Sequence, residues 1–485
     1  MIGLYTVAEI RAAETELMAR LPEGALMQRA AAGLATVCAQ ALGGAYGARV
    51  SLLVGGGNNG GDALWAGARL ARRGARVDAV LLRPERVHAD GLAALLAAGG
   101  RVAARGTTDA AHAALRGADL VVDGVLGIGG RGGVDDDVAA LADAARADAG
   151  LLVAVDLPSG VDPDTGETPG RHVVADLTVT FGASKLALAI DPAAASAGAV
   201  HTVDIGLGEH LPPPGAEVLE APDVETMLPA PGRESDKYRR GVLGVLAGSD
   251  RYPGAAALAT SAAVVSGAGM VRYAGPASVA AEVRARRPEV VAASDVDSSG
   301  RVQAWAVGSG LGPGRDQEVA QVLDTGLPLL LDADALASLP ARLDGPALLT
   351  PHAGELGRML GADPADVEAH RLRYAREAAA RWRATVLLKG STTVVADPDG
   401  RVRVNPTGTS ALATAGSGDV LAGLAGSLLA AGLDPFDAGS AAAYVHGVAG
   451  RLAAAEYGYP GASDVLDRLP AAFRSVSRGA AGSQG

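Results

Sequence analysis

Cysteine, lysine and aromatic residues are nearly missing from this 485-residue chain, and each shortage excludes something. Cys38 is its one cysteine, which rules out an internal disulfide and a thiolate-built metal centre and fits a reducing compartment. Aromatics make up 3% of the residues although 49% are apolar, so Ala, Val and Leu must fill the core through close backbone approaches. Such a composition suits helices lying on parallel strands. The formal charge is −12 and no Lys/Arg-rich run stands out, so the electrostatic footprint of a nucleic-acid binder is lacking. No apolar run reads as a membrane span; the weakly polar stretch from Gly254 to Met270 is rich in small residues and reads as a buried helix. The opening MIGLYTVAEIRAAE carries charges where a signal peptide needs its apolar stretch, so a cytoplasmic protein is expected.

Only Lys185, Lys237 and Lys389 are lysines among the 42 basic residues. Arginine serves wherever a positive surface charge suffices, and a compact ammonium does not substitute for a planar guanidinium at a tight site. The three lysines are therefore site candidates, although chance placement explains any one of them as well.

What is present reads as two α/β series. Thr6 and Glu9 form a capping box that opens the first helix, and apolar positions then recur at helical spacing through Leu17 and Leu26. Val50 to Val54, Val77 to Leu82, Leu120 to Val125, Leu151 to Val155 and Leu177 to Phe181 read as buried strands between Ala-rich helices such as Ala63 to Arg73. From Gly206 to Gly241 the texture turns to proline and acids without a sustained period, and residues 211–236 are expected to be a linker. A second series follows at Val242 to Ala247, Trp305 to Val307, Leu329 to Leu331, Ala347 to Leu349, Thr385 to Lys389 and Thr392 to Ala396. The tail GAAGSQG is expected to fray.

In the first half, the strand ending at Val54 runs into GGGNNGGDALWAGARLARRG, a glycine-rich turn opening into a helix. Glycines let the backbone approach a phosphate, and the helix start supplies N–H donors and a positive dipole. Asn58, Asn59 and Asp62 are polar groups that a mere tight turn does not need. VVDGVLGIGGRGG and VAVDLPSGVDPDTG place Asp123, Asp156 and Ser159 at further strand ends, where an open parallel sheet lines one crevice. Each aspartate alone reads equally well as a cap or turn residue.

GGGNNGGD, VDGVLGIGGRGG, DLPSGVDPDTG and TVTFGASK, in that order, resemble the NAD(P)H-hydrate epimerase domain, the YjeF N-terminal family, over about residues 1–210. The resemblance implies a Rossmann-like parallel-sheet domain that epimerises hydrated NADH and NADPH. By it, Asn58, Asn59, Gly60, Gly61 and Asp62 cradle the dinucleotide together with Gly127, Ile128, Gly129, Gly130, Arg131, Gly132 and Gly133. Asn59, Asp123 and Ser159 would hold a potassium ion, a hard cation suited to oxygen ligands. Asp156 would lie beside the hydrated ring, where a carboxylate serves as base and counter-charge during inversion, and is taken as the catalytic group. Lys185 is expected to anchor phosphate or to form a structural ion pair.

In the second half, NPTGTSALATAGSGDVLAGLAGSLLA sets Asp419 at the edge of a glycine-rich helix start, where N–H groups meet an oxyanion and a carboxylate takes a hydroxyl proton. An acid stabilising the helix dipole is the plainer reading. VLLKGSTTVV offers Lys389, Gly390, Ser391, Thr392 and Thr393 as a phosphate cradle, with a simple hairpin turn as the alternative. TPHAGELGRML brings His352 and Glu355 after a strand, with no second His or Cys for zinc, and GSGLGPGRD gives close approach at Gly310 and Gly312.

These segments are similar to the ADP-dependent NAD(P)H-hydrate dehydratase, a ribokinase-like family, over about residues 225–475. Ala353 stands where that family has proline in HPGE, and GPGLG reads GSGLG at Gly308 to Gly312. The resemblance implies that Asp419 contacts the hydrate as catalytic base, that Gly418 and Lys389 to Thr393 hold the nucleotide, and that Ala256, Gly310 and His352 line the hydrate side. The expected architecture is an epimerase domain over 1–210, the linker, and a ribokinase-like α/β dehydratase domain over 237–478. The expected function is repair: both hydrate epimers, NADHX and NADPHX, are interconverted and the S form is dehydrated with ADP and magnesium, giving AMP and phosphate. No nucleic acid or membrane partner is expected, and a homo-oligomer is. Small-molecule kinases share the GSGD turn and remain the rival reading of the second half, as a binding module does for the first.

Overall fold

The computed structural model describes residues 1–479 except Arg131, Ala230, Pro231, Arg233 and Ser235, and forms two compact units, Gly3–Gly215 and the chain from Ala216 on, with Met1–Ile2 counted in the second. Arg131, expected in the dinucleotide cradle, and residues 480–485 of the tail lie outside the described residues.

The first unit is built on a seven-stranded parallel sheet in the order Arg101–Arg105, Arg76–Leu81, Arg49–Val54, Leu120–Gly124, Leu152–Val155, Leu177–Phe181 and Ala199–Val203. Strand order reverses between Arg49–Val54 and Leu120–Gly124, and a crevice opens outside the carboxyl ends at such a switch point. The inner strands are buried on both faces, hence their mostly apolar runs. Both edge strands, RVAAR and AVHTV, are largely exposed and were not expected. The capping box at Thr6 is present, and Leu4 and Tyr5 pair with Ser184 and Lys185, which brings the helix Val7–Met18 to the crevice.

In the second unit the sheet runs Val291–Ala293, Met270–Ala274, Val242–Leu246, Ala304–Val307, Leu329–Leu331, Ala347–Leu349 and Thr385–Leu388, all parallel. It then turns antiparallel through Thr393–Ala396 and Val402–Asn405. The next strand, Ala216–Val218, pairs in parallel with Val402–Asn405 and lies inside the expected linker, as does the helix Ala221–Met227. The linker reading of 211–236 is thus corrected: Leu219 and Val224 join the core of this unit. A three-residue strand and a seven-residue helix are too short to show a period among prolines and acids.

The scarcity of aromatics has a visible counterpart in packing. The helix Ser417–Ala430 lies against Pro253–Val265 so closely that a Cβ on Gly423 would overlap the Ala259 carbonyl. Among the described residues no helix is long and apolar enough to cross a membrane.

Candidate functional site

In the first unit, the turns after Arg49–Val54 and Leu120–Gly124 form the walls of a cavity of about 610 Å³, a size typical of small-molecule sites. Asn58, Asn59, Asp62, Gly127, Ile128, Gly129, Gly130, Gly133 and Asp156 all line it, as the sequence suggested. Gly60 and Gly61 are buried at the helix start behind it. A Cβ on Gly127 would stand 2.8 Å from Asn59 Oδ1 and 3.4 Å from Asp156 Oδ2, so this glycine loop passes directly over both side chains.

Asp123 and Ser159 meet beneath that loop. Ser159 donates from Oγ to Asp123 Oδ1 at 2.7 Å and from its backbone N–H to Oδ2 at 2.9 Å, while its Oγ accepts from Leu126 N–H at 2.8 Å. Complete burial pushes the Asp123 carboxyl up to about 6 against these hydrogen bonds. The amide Nδ2 of Asn59 is buried without a partner.

Asp156 ends the strand Leu152–Val155 in the left-handed region, at φ 67°, which is costly for a non-glycine residue and is tolerated best by Asp or Asn. Its Oδ1 accepts from Lys185 Nζ at 2.6 Å and from Thr180 Oγ1 at 3.1 Å. Lys185, 1% exposed, also donates to Thr180 Oγ1 at 2.8 Å and to the Phe181 carbonyl at 3.0 Å, so its three protons are committed. It is a structural ion pair to the site carboxylate. Sequence reasoning missed Arg11 and Glu14, which reach the cavity from the first helix, and Thr180. Burial, followed by the charges of Asp156 and Glu14, holds the Asp62 carboxyl well above the usual range.

In the second unit, a parallel bridge between His352 and Lys389 brings two predicted motifs together. Lys389 Nζ donates to Asp332 Oδ1 at 2.8 Å and stands 3.7 Å from Glu355 Oε2. Burial lowers the pKa of this ammonium, but Asp332, Glu355 and Asp419 together raise it further, so it stays charged. Asp332 was missed: it is 3% exposed, ends the strand Leu329–Leu331, and also accepts from Thr350 Oγ1 at 2.9 Å. Gly308, at φ 124°, leaves room for it, since any Cβ there would overlap the Asp332 carbonyl.

Asp419 lies in the first turn of Ser417–Ala430, next to Gly418, whose Cβ would stand 3.6 Å from Lys389 Nζ. Burial first, then the charge of Asp332, pushes its carboxyl up to about 6, with Ser309 and Lys389 opposing. The turn Lys389 to Thr392 is indeed a hairpin between antiparallel strands, with Gly390 and Ser391 exposed and Thr392 buried. Arg371, another missed residue, backs it: the guanidinium donates to the Lys389 carbonyl at 3.5 Å, and Nε is buried without a partner. Gly310, at φ 61°, packs against Tyr252 and Ala255. Ala256 is fully buried, within the apolar core. His352 is the N-cap of Ala353–Leu360, its Nδ1 accepting from Gly354 N–H at 2.9 Å.

Residues 23–187 match the family described as YjeF-related protein N-terminus, and residues 243–470 match NAD(P)H-hydrate dehydratase. The bifunctional NAD(P)H-hydrate repair enzyme of Mycobacterium leprae is 49% identical over 473 residues, covering 95% of each chain. That of Mycobacterium tuberculosis is 50% identical over 442 residues, 88% of this chain and 89% of its own. Among solved structures, the ADP/ATP-dependent NAD(P)H-hydrate dehydratase from Bacillus subtilis, co-crystallised with ATP and Mg2+, is 34% identical with a TM-score of 0.51, covering 53% of this chain and 98% of its own. One family falls on each unit, and the likeness to whole two-part relatives runs almost end to end; the chain therefore belongs to the family of bifunctional NAD(P)H-hydrate repair enzymes, with an epimerase half and a dehydratase half.

Proposed function

We propose that the Gly3–Gly215 unit interconverts the R and S hydrates of NADH and NADPH, and that the unit from Ala216 on dehydrates the S form at the expense of ADP, in the cytoplasm. The observation that carries the second activity is Asp419 at the open N–H end of a helix, beside the buried ammonium of Lys389. Asp419 takes the proton of the ring hydroxyl as that oxygen attacks the terminal phosphorus of ADP, with AMP leaving; Lys389 and the helix N–H groups balance the phosphoryl charge. Loss of phosphate from that carbon, with loss of a proton from the neighbouring ring carbon, then restores the dihydronicotinamide. Gly418 and the Lys389 to Thr393 hairpin support the nucleotide, and Gly310 bounds the hydrate side.

In the epimerase half, Asn58 to Asp62 and the Gly127 to Gly133 loop hold the dinucleotide, and Asp156 handles the proton at the hydrated carbon. Asn59, Asp123 and Ser159 fit a potassium ion: each offers an oxygen, one carboxylate gives a single charge, and Asn59 Oδ1 lies directly under the Gly127 loop. Potassium would neutralise the buried Asp123 and tie the two phosphate-facing turns together. Magnesium would arrive on the nucleotide, held by phosphate oxygens and water, since no cluster of three His, Cys, Asp or Glu ligands occurs among the described residues.

The test mixes purified protein with racemic NADH hydrate, magnesium and ADP or ATP, and follows the return of dihydronicotinamide absorbance. Complete recovery supports both activities, a stop near half leaves only the dehydratase, and no recovery removes the repair reading. The dehydratase kcat/KM should climb through about pH 6 as Asp419 loses its proton, falling tenfold per unit below that. A flat profile from pH 5 to 8 would remove Asp419 as base. Omitting potassium should slow the epimerase alone, and Ser159→Ala should abolish that dependence; equal rates in sodium would count against the ion.

A further inference from the structure

Inverting a carbon that carries a hydroxyl needs proton traffic on both faces of the ring, and Asp156 serves one face at a time. The cavity contains more acid than Asp156. Glu14 enters it from the helix Val7–Met18, whose inner face is Ile10, Ala13 and Leu17. An acid beside such a face is partly desolvated, and it stands within reach of the charges of Asp156, Lys185 and Arg11. Its helix lies before the stretch that matches the YjeF-related family, residues 23–187.

Four acids, Glu14, Asp62, Asp135 and Asp156, and four bases, Arg11, Arg83, Arg86 and Lys185, line the cavity, and the three Lys185 protons are already spent on Asp156, Thr180 and Phe181. Asp62 is 9% exposed and its Oδ1 is buried with no partner, an unmet polar atom in the wall of the cavity that points to a ligand donor. Burial raises the pKa of Glu14, and the charge of Asp156 raises it further against Lys185 and Arg11, which favours a carboxyl able to give up a proton as well as take one. Asp156 projects from the sheet and Glu14 from a helix, so the two carboxyls reach the cavity from different elements.

We propose that Glu14 is a second catalytic residue of the epimerase, exchanging protons with the substrate on the ring face opposite Asp156; this rests on the epimerase reading above. Glu14 gives its proton to the ring hydroxyl. The carbon–oxygen bond breaks, its electron pair leaves on water, and the ring nitrogen lone pair closes a carbon–nitrogen double bond. Water adds to the opposite face, Asp156 takes its proton, and the lone pair returns to nitrogen. One water leaves and one enters, and a single proton has moved from Glu14 to Asp156; the reverse inversion starts from that state, and solvent resets it.

The experiment uses the full chain, S-hydrate without nucleotide, and water labelled with oxygen-18. Glu14→Gln should lower epimerase kcat by about 100-fold or more, with KM within threefold, and label uptake should fall in step. Glu14→Asp should retain more activity than Glu14→Gln. A kcat within threefold of the unaltered protein, a loss lying wholly in KM, or equal losses in both variants would overturn the proposal. Thermal melting follows folding; should Glu14→Gln unfold, Glu14→Asp decides alone, a tenfold lower kcat at unchanged KM supporting the proposal and full activity overturning it. If the unaltered protein does not epimerise at all, the functional reading fails, and this proposal with it.

Discussion

Asp419→Asn should cut dehydratase turnover by about 10²–10⁴-fold while leaving the epimerase rate unchanged. The substitution keeps the size of the side chain and its reach into the first helical turn, so the helix and its contacts persist. What it removes is the proton acceptor, and a hydroxyl that keeps its proton is a poor attacker of phosphorus. Lys389 would still hold charge through Asp332 and Glu355, so nucleotide binding should weaken little. The measurement is single-turnover phosphate release from ADP on S-hydrate, with the R to S ratio followed by NMR as the internal control. A loss below tenfold would leave Asp419 as an N-terminal charge of the helix and nothing more.

The second large effect is on stability. Lys185→Met should destabilise the first unit by about 3–5 kcal/mol, because it leaves a buried carboxylate facing the emptied place of its ammonium. The pair is dry, with the two side chains 1% and 10% exposed, so solvent cannot replace the lost partner. Removing both charges should cost far less: Lys185→Met with Asp156→Asn, a residue tolerated at that positive φ, should regain most of the loss, at the expense of all epimerase activity. The exposed Lys237, whose ammonium lies 5.3 Å from the Tyr238 ring, is the control, and Lys237→Met should stay within about 0.5 kcal/mol. Urea unfolding of the four proteins decides it, and a Lys185→Met cost under 1 kcal/mol would refute the account.

Scarcity was the most useful signal in the chain. Of three lysines, two are ammoniums tied to site carboxylates, Lys185 fully buried and Lys389 partly so, and only Lys237 is ordinary. Inner strands were legible because burial on both faces leaves them mostly apolar, whereas Arg101–Arg105 and Ala199–Val203 are largely open to solvent at the sheet edges and lost that mark. Asp332 was within reach: LLLD repeats the pattern of a carboxylate ending a strand that had already singled out Asp123 and Asp156. Glu14 was not, since an acid within an amphipathic helix looks like any solvated charge until the helix has been placed over a cavity. His352 carries a duty that its position after a strand did not announce: Nδ1 satisfies the N–H groups at the start of its own helix, while the side chain stays 55% exposed.

The contact between Ser417–Ala430 and Pro253–Val265 also constrains how this half could diverge. With the carbonyl of Ala259 against Gly423 and only the Ala262 methyl beside it, no flexible side chain gives way at that contact, and any substitution at that glycine pushes one helix off the other and carries Asp419 with it. Neutral drift is closed to this pair, because a compensating change would have to move a main chain rather than repack a core. Descendants that acquire a new substrate are therefore expected to keep the helix pair and to rewrite the turns around it, the Lys389 to Thr392 hairpin before any other.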